Sequence, residues 1–191
     1  YPEGPNIETR VRRDARSTTF DRDAVQRSFD KHLIFGGISY QAEEVLGRGA
    51  PLRDHYQNTI FMLGPDGEVL GLSHKMRLLI FGEYIPFGDI FPIVYDWIPE
   101  AGKYIAGKKI HPLIMETKEH GPIRIAPLIC YEDILPEFSS KALALDPHLL
   151  VNVTNDAWFG KTHEPALHLQ LAAARSIETR RTLIRSTNTG I

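Results

Sequence analysis

The sequence predicts an α/β protein built on a layered sheet. Three observations carry that prediction. Apolar runs of strand length alternate with helical patterns, two pairs of runs carry hairpin signals, and a late strand has its apolar residues on consecutive positions. Consecutive apolar positions suit a sheet covered on both faces, because successive side chains point into two different buried layers.

The elements follow in chain order. Residues 22–32 (RDAVQRSFDKH) place Val25 and Phe29 on one helical face, and residues 33–41 (LIFGGISYQ) read as a buried strand. Residues 56–75 (YQNTIFMLGPDGEVLGLSHK) hold two β-rich runs around Gly-Pro-Asp-Gly, a hairpin signature. Residues 76–110 are rich in Pro, Gly and aromatics and predict irregular chain. Residues 111–117 and 123–130 predict a second hairpin, residues 136–146 a helix, and residues 147–156 (PHLLVNVTND) the strand buried on both faces. Residues 164–181 (EPALHLQLAAARSIETRR) carry the clearest helix. Pro165 suits its first turn, and Leu167, Leu171, Ala174 and Ile177 keep near-helical spacing. One more strand starts at residue 182.

Composition narrows the function. A net charge of −2 with scattered basic residues predicts no nucleic-acid partner. A single cysteine excludes an internal disulfide, and no apolar run has the length needed to cross a bilayer. The 191 residues suit one domain, 1–191. An opening YPEGPNIE without methionine and a close on RSTNTGI predict a piece of a longer protein.

That one cysteine, Cys130, ends an apolar run and is followed at once by Tyr131, Glu132 and Asp133. A free cysteine often just packs. Three local features favour a nucleophile instead. The position ends a strand, where α/β sheets place reactive groups; the chain turns there, so the next N–H groups can face an oxyanion; and two carboxylates follow, which a purely apolar site would not tolerate. The local pattern leaves both readings open. A nucleophilic thiol needs a base or a cation, yet none of the eight histidines sits in an evident motif, and no Cys/His metal spacing occurs. Glu3, Lys75 and Glu83 are the other candidates, each singly an ordinary surface charge.

Four segments together change that balance: YPEG, SHKMRLLIFGEYIPFG, PLICYEDILPE and NVTNDAWFG. They resemble the carbon–nitrogen hydrolase (nitrilase) superfamily, and FGEYIPFG, CYEDILPE, NDAWFG and HLQLAAARSIETRRTLIRSTNTGI are similar to its lipoprotein N-acyltransferase branch. The likeness spans nearly the whole chain and departs from the usual pattern at Ile80, Ser73 and His74. It implies a nitrilase-like α-β-β-α sandwich, apparently truncated at both ends, without its first strand, its last strands or any membrane helices.

The resemblance also implies roles. Glu3 would be the general base, Lys75 the cation beside the thiolate and oxyanion, and Cys130 the nucleophile. Glu83 would orient Lys75, the Tyr131 N–H would be an oxyanion donor, and Tyr131 and Glu132 would shape the site. The implied reaction is ping-pong acyl transfer through a thioester, without metal or organic cofactor. A phospholipid is the acyl donor and the diacylglyceryl-cysteine N-terminus of an apolipoprotein the acceptor. The implied location is the bacterial inner membrane, held through regions outside this fragment, with the catalytic domain on the periplasmic face. Phe81, Tyr84, Phe87, Phe91, Tyr95 and Trp97 read either as a loop plugging the core or as an arm meeting acyl chains, with Trp158 and Phe159 beside the site. A soluble amidase or nitrilase using the same triad is the alternative enzyme. A non-catalytic scaffold is the alternative outside catalysis.

Overall fold

Gly-Pro-Asp-Gly does what its chemistry predicts. Gly64 receives a hydrogen bond from Gly67 N (3.0 Å) and donates to Glu68 O (2.9 Å), and Gly67 takes φ +81°, a region costly for any residue with a Cβ. That turn joins the second and third strands of an antiparallel sheet. In the computed structural model, which describes residues 31–40, 56–88, 90–98 and 101–190, this sheet has the order β1 (Leu33–Tyr40), β2 (Tyr56–Leu63), β3 (Val69–His74).

A second, four-stranded sheet has the order β4 (Leu113–Thr117), β5 (Gly121–Ile129), β6 (Leu149–Thr154), β7 (Thr182–Thr187). β4 and β5 form the expected second hairpin, whereas β5, β6 and β7 run parallel. Parallel neighbours need crossovers. Helix α2 (Pro136–Leu143) lies between β5 and β6 in the chain, and α3 (Glu164–Thr179) between β6 and β7. A four-residue helix, α1 (Val94–Trp97), is the regular element inside the irregular 76–110 stretch.

The alternation of side chains sets the layers. Ile60 and Met62 of β2 meet Leu113, Ile125, Ile129, Val151 and Val153 of the second sheet in one buried cluster between the sheets. The intervening residues, Ala126, Leu128 and Leu150, face the other way and pack on Phe138 and Ala142 of α2. Each central strand is thus apolar on both faces, which is why its sequence lacks polar alternation. The described residues supply a sheet-sheet-helix stack of the α-β-β-α type. The helix expected over 22–32 lies outside the described residues as far as residue 30.

Helix α3 forms where expected, with Pro165 at its start, but its buried face differs from the expectation. Leu167 and Leu171 are exposed and Ile177 is 80% exposed, whereas Pro165, His168, Ala172, Arg175 and Thr179 are buried. The helix therefore turns polar groups inward, where charged partners wait for them. The turn expected after Cys130 is a 3-10 turn, Cys130–Ile134, and a second 3-10 turn, Asp156–Phe159, follows β6.

The sandwich makes a stability prediction. Ile60→Ala, at the sheet–sheet interface, will cost about 2–5 kcal/mol in denaturant midpoints at unchanged slope. The same truncation at exposed Ile177 will stay within about 0.5 kcal/mol.

Candidate active site

Cys130 sits where β5 gives way to a 3-10 turn, and its φ is +52°. A side chain with a Cβ pays for that conformation, so neighbours must hold it. Asn152, fully buried on the adjacent strand β6, donates from Nδ2 to Cys130 O at 2.9 Å and to Leu128 O at 3.4 Å. The polar residue inside an otherwise apolar strand thus pins the backbone of the elbow. The thiol itself meets the Thr154 hydroxyl and the Tyr131 backbone N–H.

Lys75 follows directly on β3 and is 1% exposed. Its Nζ lies 2.9 and 2.8 Å from the two Glu83 oxygens. Glu83 is held by Leu79 N (2.8 Å) and by the Asn58 side chain, whose own backbone carbonyl accepts Lys75 N at 2.8 Å. On the other side Gly107 N donates to Lys75 O at 2.7 Å. A Cβ on Gly107 would stand 2.7 Å from His74 O, so only glycine permits that approach.

Glu132 joins the lysine to the cysteine. Its carboxylate, 2% exposed, accepts Met76 N (2.6 Å), Arg77 N (3.0 Å) and Ile129 N (2.9 Å). It therefore clamps the two residues after Lys75 onto the strand end that presents Cys130. Burial pushes its carboxyl up to about 7, against the opposing pull of the three N–H groups and Lys75.

Charge around the thiol is balanced unevenly. Burial pushes the Cys130 thiol up; Lys75, the Thr154 hydroxyl and the Tyr131 N–H pull it down, Glu83 pushes it up, and the net shift is upward. The resting thiol keeps its proton at neutral pH, so the described groups alone do not deliver a thiolate. A base must take the proton when the thiol attacks. Glu3, the expected base, lies outside the described residues.

Tyr131, Asp133 and Asp156 face the polar side of α3. The Tyr131 ring stacks on His168 at 4.7 Å and 19°, meets Phe159 edge-on at 5.8 Å, and its hydroxyl donates to Glu164. Burial, then the Glu164 contact, hold that hydroxyl well above the ordinary phenol range. His168 contacts Asp133 (2.8 Å) and Asp156 (3.1 Å), and Arg185 contacts Asp156 (2.8 Å). Asp156, Glu164 and His168 place ligand atoms within 4.8 Å of one another, a spacing compatible with a cation. Yet both His168 nitrogens are engaged by carboxylates, and a Glu164 oxygen is engaged by Tyr131.

The aromatic arm is open to solvent. Phe81, Phe87, Phe91 and Trp97 are exposed, Phe87 and Trp97 by 72% and 73%, while Tyr84 and Tyr95 are half-buried. Beneath the arm runs a cavity of ≈ 640 Å³ bounded by Met76, Arg77, Tyr84, Ile85, Tyr95 and Lys103. Ile85 of this segment is buried, whereas Phe81, Phe87, Phe91 and Trp97 face solvent. Trp158, 78% exposed, and half-buried Phe159 come from the 3-10 turn after β6.

The structure thus brings Lys75, Glu83, Cys130, Tyr131 and Glu132 together. The sequence reading had not singled out Asn58, Asn152, Thr154, Asp156, His168 or Arg185 as site residues. Asn152 and Thr154, polar residues within a strand buried on both faces, were the available signal. We predict that iodoacetamide alkylation of Cys130 will titrate above the ordinary thiol value, and that Lys75→Met will move the midpoint higher still. A midpoint lowered by Lys75→Met would contradict the assigned geometry.

The carbon–nitrogen hydrolase family model matches residues 23–191. Among relatives, the chain is 40% identical over 136 residues to a protein of Geobacter metallireducens named apolipoprotein N-acyltransferase, covering 71% of this chain and 25% of that protein. It is 35% identical over 178 residues to one of the same name from Rhizobium leguminosarum bv. trifolii, covering 91% and 32%. The chain therefore spans about a quarter to a third of the length of these relatives. Among solved structures, an amidase from Nesterenkonia sp. AN1 superposes with TM-score 0.54 at 20% identity, over 84% of this chain and 48% of that one. The same amidase has been solved with acrylamide added to its active-site cysteine.

Proposed function

We propose that this chain, which belongs to the carbon–nitrogen hydrolase family, is the catalytic domain, residues 1–191, of an apolipoprotein N-acyltransferase. The observation that carries this reading is the Cys130 elbow clamped by Glu132 to the buried Lys75–Glu83 pair. The names of the relatives supply the substrate class.

In this reading Glu3 takes the thiol proton as Cys130 Sγ attacks an ester carbonyl of a phospholipid. The developing oxyanion is met by the Lys75 ammonium and the Tyr131 N–H. Collapse breaks the ester C–O bond, Glu3 returns the proton to the departing alkoxide, and a lysophospholipid leaves a thioester on Cys130. The neutral α-amino group of a diacylglyceryl-cysteine N-terminus then attacks the thioester. Its proton passes to Glu3 and on to the departing thiolate, and an amide is released. Lys75 must keep its charge throughout, and a carboxylate within 3 Å suits a buried ammonium to that task.

The exposed aromatic arm suits the same chemistry. Phe81, Phe87, Phe91, Trp97 and Trp158 are exposed apolar and amphipathic rings of the kind that meet lipid at membrane boundaries, and that exposure supports their meeting the acyl chains of the donor. Closing greasy side chains over the thioester would keep water from it. Among the described residues no helix is long and apolar enough to cross a membrane. The proposed attachment to the bacterial inner membrane, with this domain on the periplasmic face, rests on chain outside 1–191.

The test is incubation of the full-length protein with phospholipid, followed by mass spectrometry of the Cys130 peptide. The expected result is a fatty acyl thioester that disappears on adding a diacylglyceryl-cysteine peptide, with amide product formed, and that is absent in Cys130→Ala. A thioester discharged by water alone would replace this reading with a hydrolase of the amidase type.

A further inference from the structure

We infer that His168 is a fixed imidazolium that positions the nucleophile turn, acting on Cys130 through Tyr131 and Thr154. The inference deepens the acyl-transfer reading and rests on it for its kinetic consequence. Its structural half stands on hydrogen-bond geometry. His168 Nε2 lies 2.8 Å from Asp133 Oδ1, and Nδ1 lies 3.1 Å from Asp156 Oδ1. An ionised carboxylate only accepts hydrogen bonds, so each ring nitrogen must carry a proton. A ring with two N–H groups is a cation.

Arg185 closes the arrangement. Its Nη2 reaches Asp156 Oδ2 at 2.8 Å and its Nε lies 3.5 Å from Asp133 Oδ2. Two cations and two anions, all with side chains at most 6% exposed, form a neutral ring in place of solvent. Asp133 belongs to the turn that starts at Cys130, Asp156 to the turn bearing Trp158 and Phe159, His168 to α3 and Arg185 to β7. The ring therefore fixes the nucleophile turn against three other elements.

Two lines run from the ring to the sulfur. The Tyr131 ring lies nearly parallel over the imidazolium at 4.7 Å, a cation–π contact, and Glu164, one helical turn before His168, holds its hydroxyl. Tyr131 is the residue whose backbone N–H reaches the thiol. On the second line Thr154, the residue beside the thiol, is tied by its Oγ1 to Asp156 Oδ1 at 3.0 Å, so its place at the sulfur depends on the same carboxylate that holds His168.

Desolvation alone would lower the His168 value, but the Asp133 hydrogen bond and charge outweigh it and hold it above the ordinary imidazole value, with Arg185 opposing and Asp156 adding. Because the folded value is raised, the stabilisation is complete below the ordinary imidazole range and is lost only as pH climbs through the raised value. The groups facing the ring are Asp133, Tyr131, Asp156, Arg185 and Glu164. His168 is thus not a base for the reaction. It is a charge that does not change.

The test uses the full-length protein with ¹⁵N-labelled histidine. Both His168 ring nitrogens are expected to stay protonated from about pH 6 to about pH 8, where an ordinary imidazole loses its charge. A neutral tautomer in that range overturns the assignment, whatever reaction Cys130 performs. The second arm compares His168→Gln with the charge-balanced double variant Asp133→Asn/His168→Gln. The double variant is expected to recover thermal stability while thioester formation stays roughly 10–100-fold slow, as for loss of an orienting partner, with the phospholipid KM within about 2-fold. Recovery of rate together with stability would show a merely structural role and defeat the inference. Should the wild type form no thioester, the acyl-transfer reading fails separately. The positioning claim is then read from the pH midpoint of Cys130 alkylation, which the double variant must raise and an unchanged value refutes.

Discussion

An ammonium group as enclosed as that of Lys75 is untenable in a protein interior unless a carboxylate meets it, and much of this site is organised around meeting it. Glu83 provides the carboxylate, and it can do so only because residues 79–84 fold back into a turn whose Leu79 N–H also binds it. Asn58 serves both partners, with its carbonyl on the Lys75 backbone and its amide on Glu83. Gly107 lets another segment close on the Lys75 carbonyl. Glu132 then carries the arrangement across the molecule, binding the peptide groups after Lys75 and the strand end before Cys130 with one carboxylate.

The fold supplies the places for these groups. Parallel β5 and β6 end side by side, so Asn152 can hold the Cys130 carbonyl and Thr154 can reach the thiol. The crossover helix α3 brings His168 and Glu164 beneath Tyr131, and β7 brings Arg185 to the same carboxylates. Burial raises the thiol while the lysine lowers it, and the net shift is upward.

Much of this architecture was legible in the sequence. The Gly-Pro-Asp-Gly turn, the consecutive apolar residues of β6 and the Pro165 helix start are local signals, and each produced its element. Lys75, Glu83 and Cys130 were legible as a set only through resemblance, since each alone is an ordinary residue. The charged ring was not legible. Asp133, Asp156, His168 and Arg185 come from four elements, no period connects them, and α3 hides its polar face while leaving Leu167, Leu171 and Ile177 outside. The spacing of His168, Ala172, Arg175 and Thr179 on one side of that helix was the trace available, but hydrophobic periodicity pointed to the opposite side.

The central claim is that Glu83 keeps the Lys75 charge beside Cys130, and Glu83→Gln measures it through the pH midpoint of Cys130 alkylation. Removing an anion near a thiol should by itself lower the midpoint. If Glu83 is what holds the Lys75 ammonium in place, Lys75 leaves its position beside Cys130 in the variant, its pull on the thiolate disappears, and the midpoint rises. A rise is the predicted result. A fall would mean that Lys75 keeps its place beside Cys130 without Glu83, and would contradict the account.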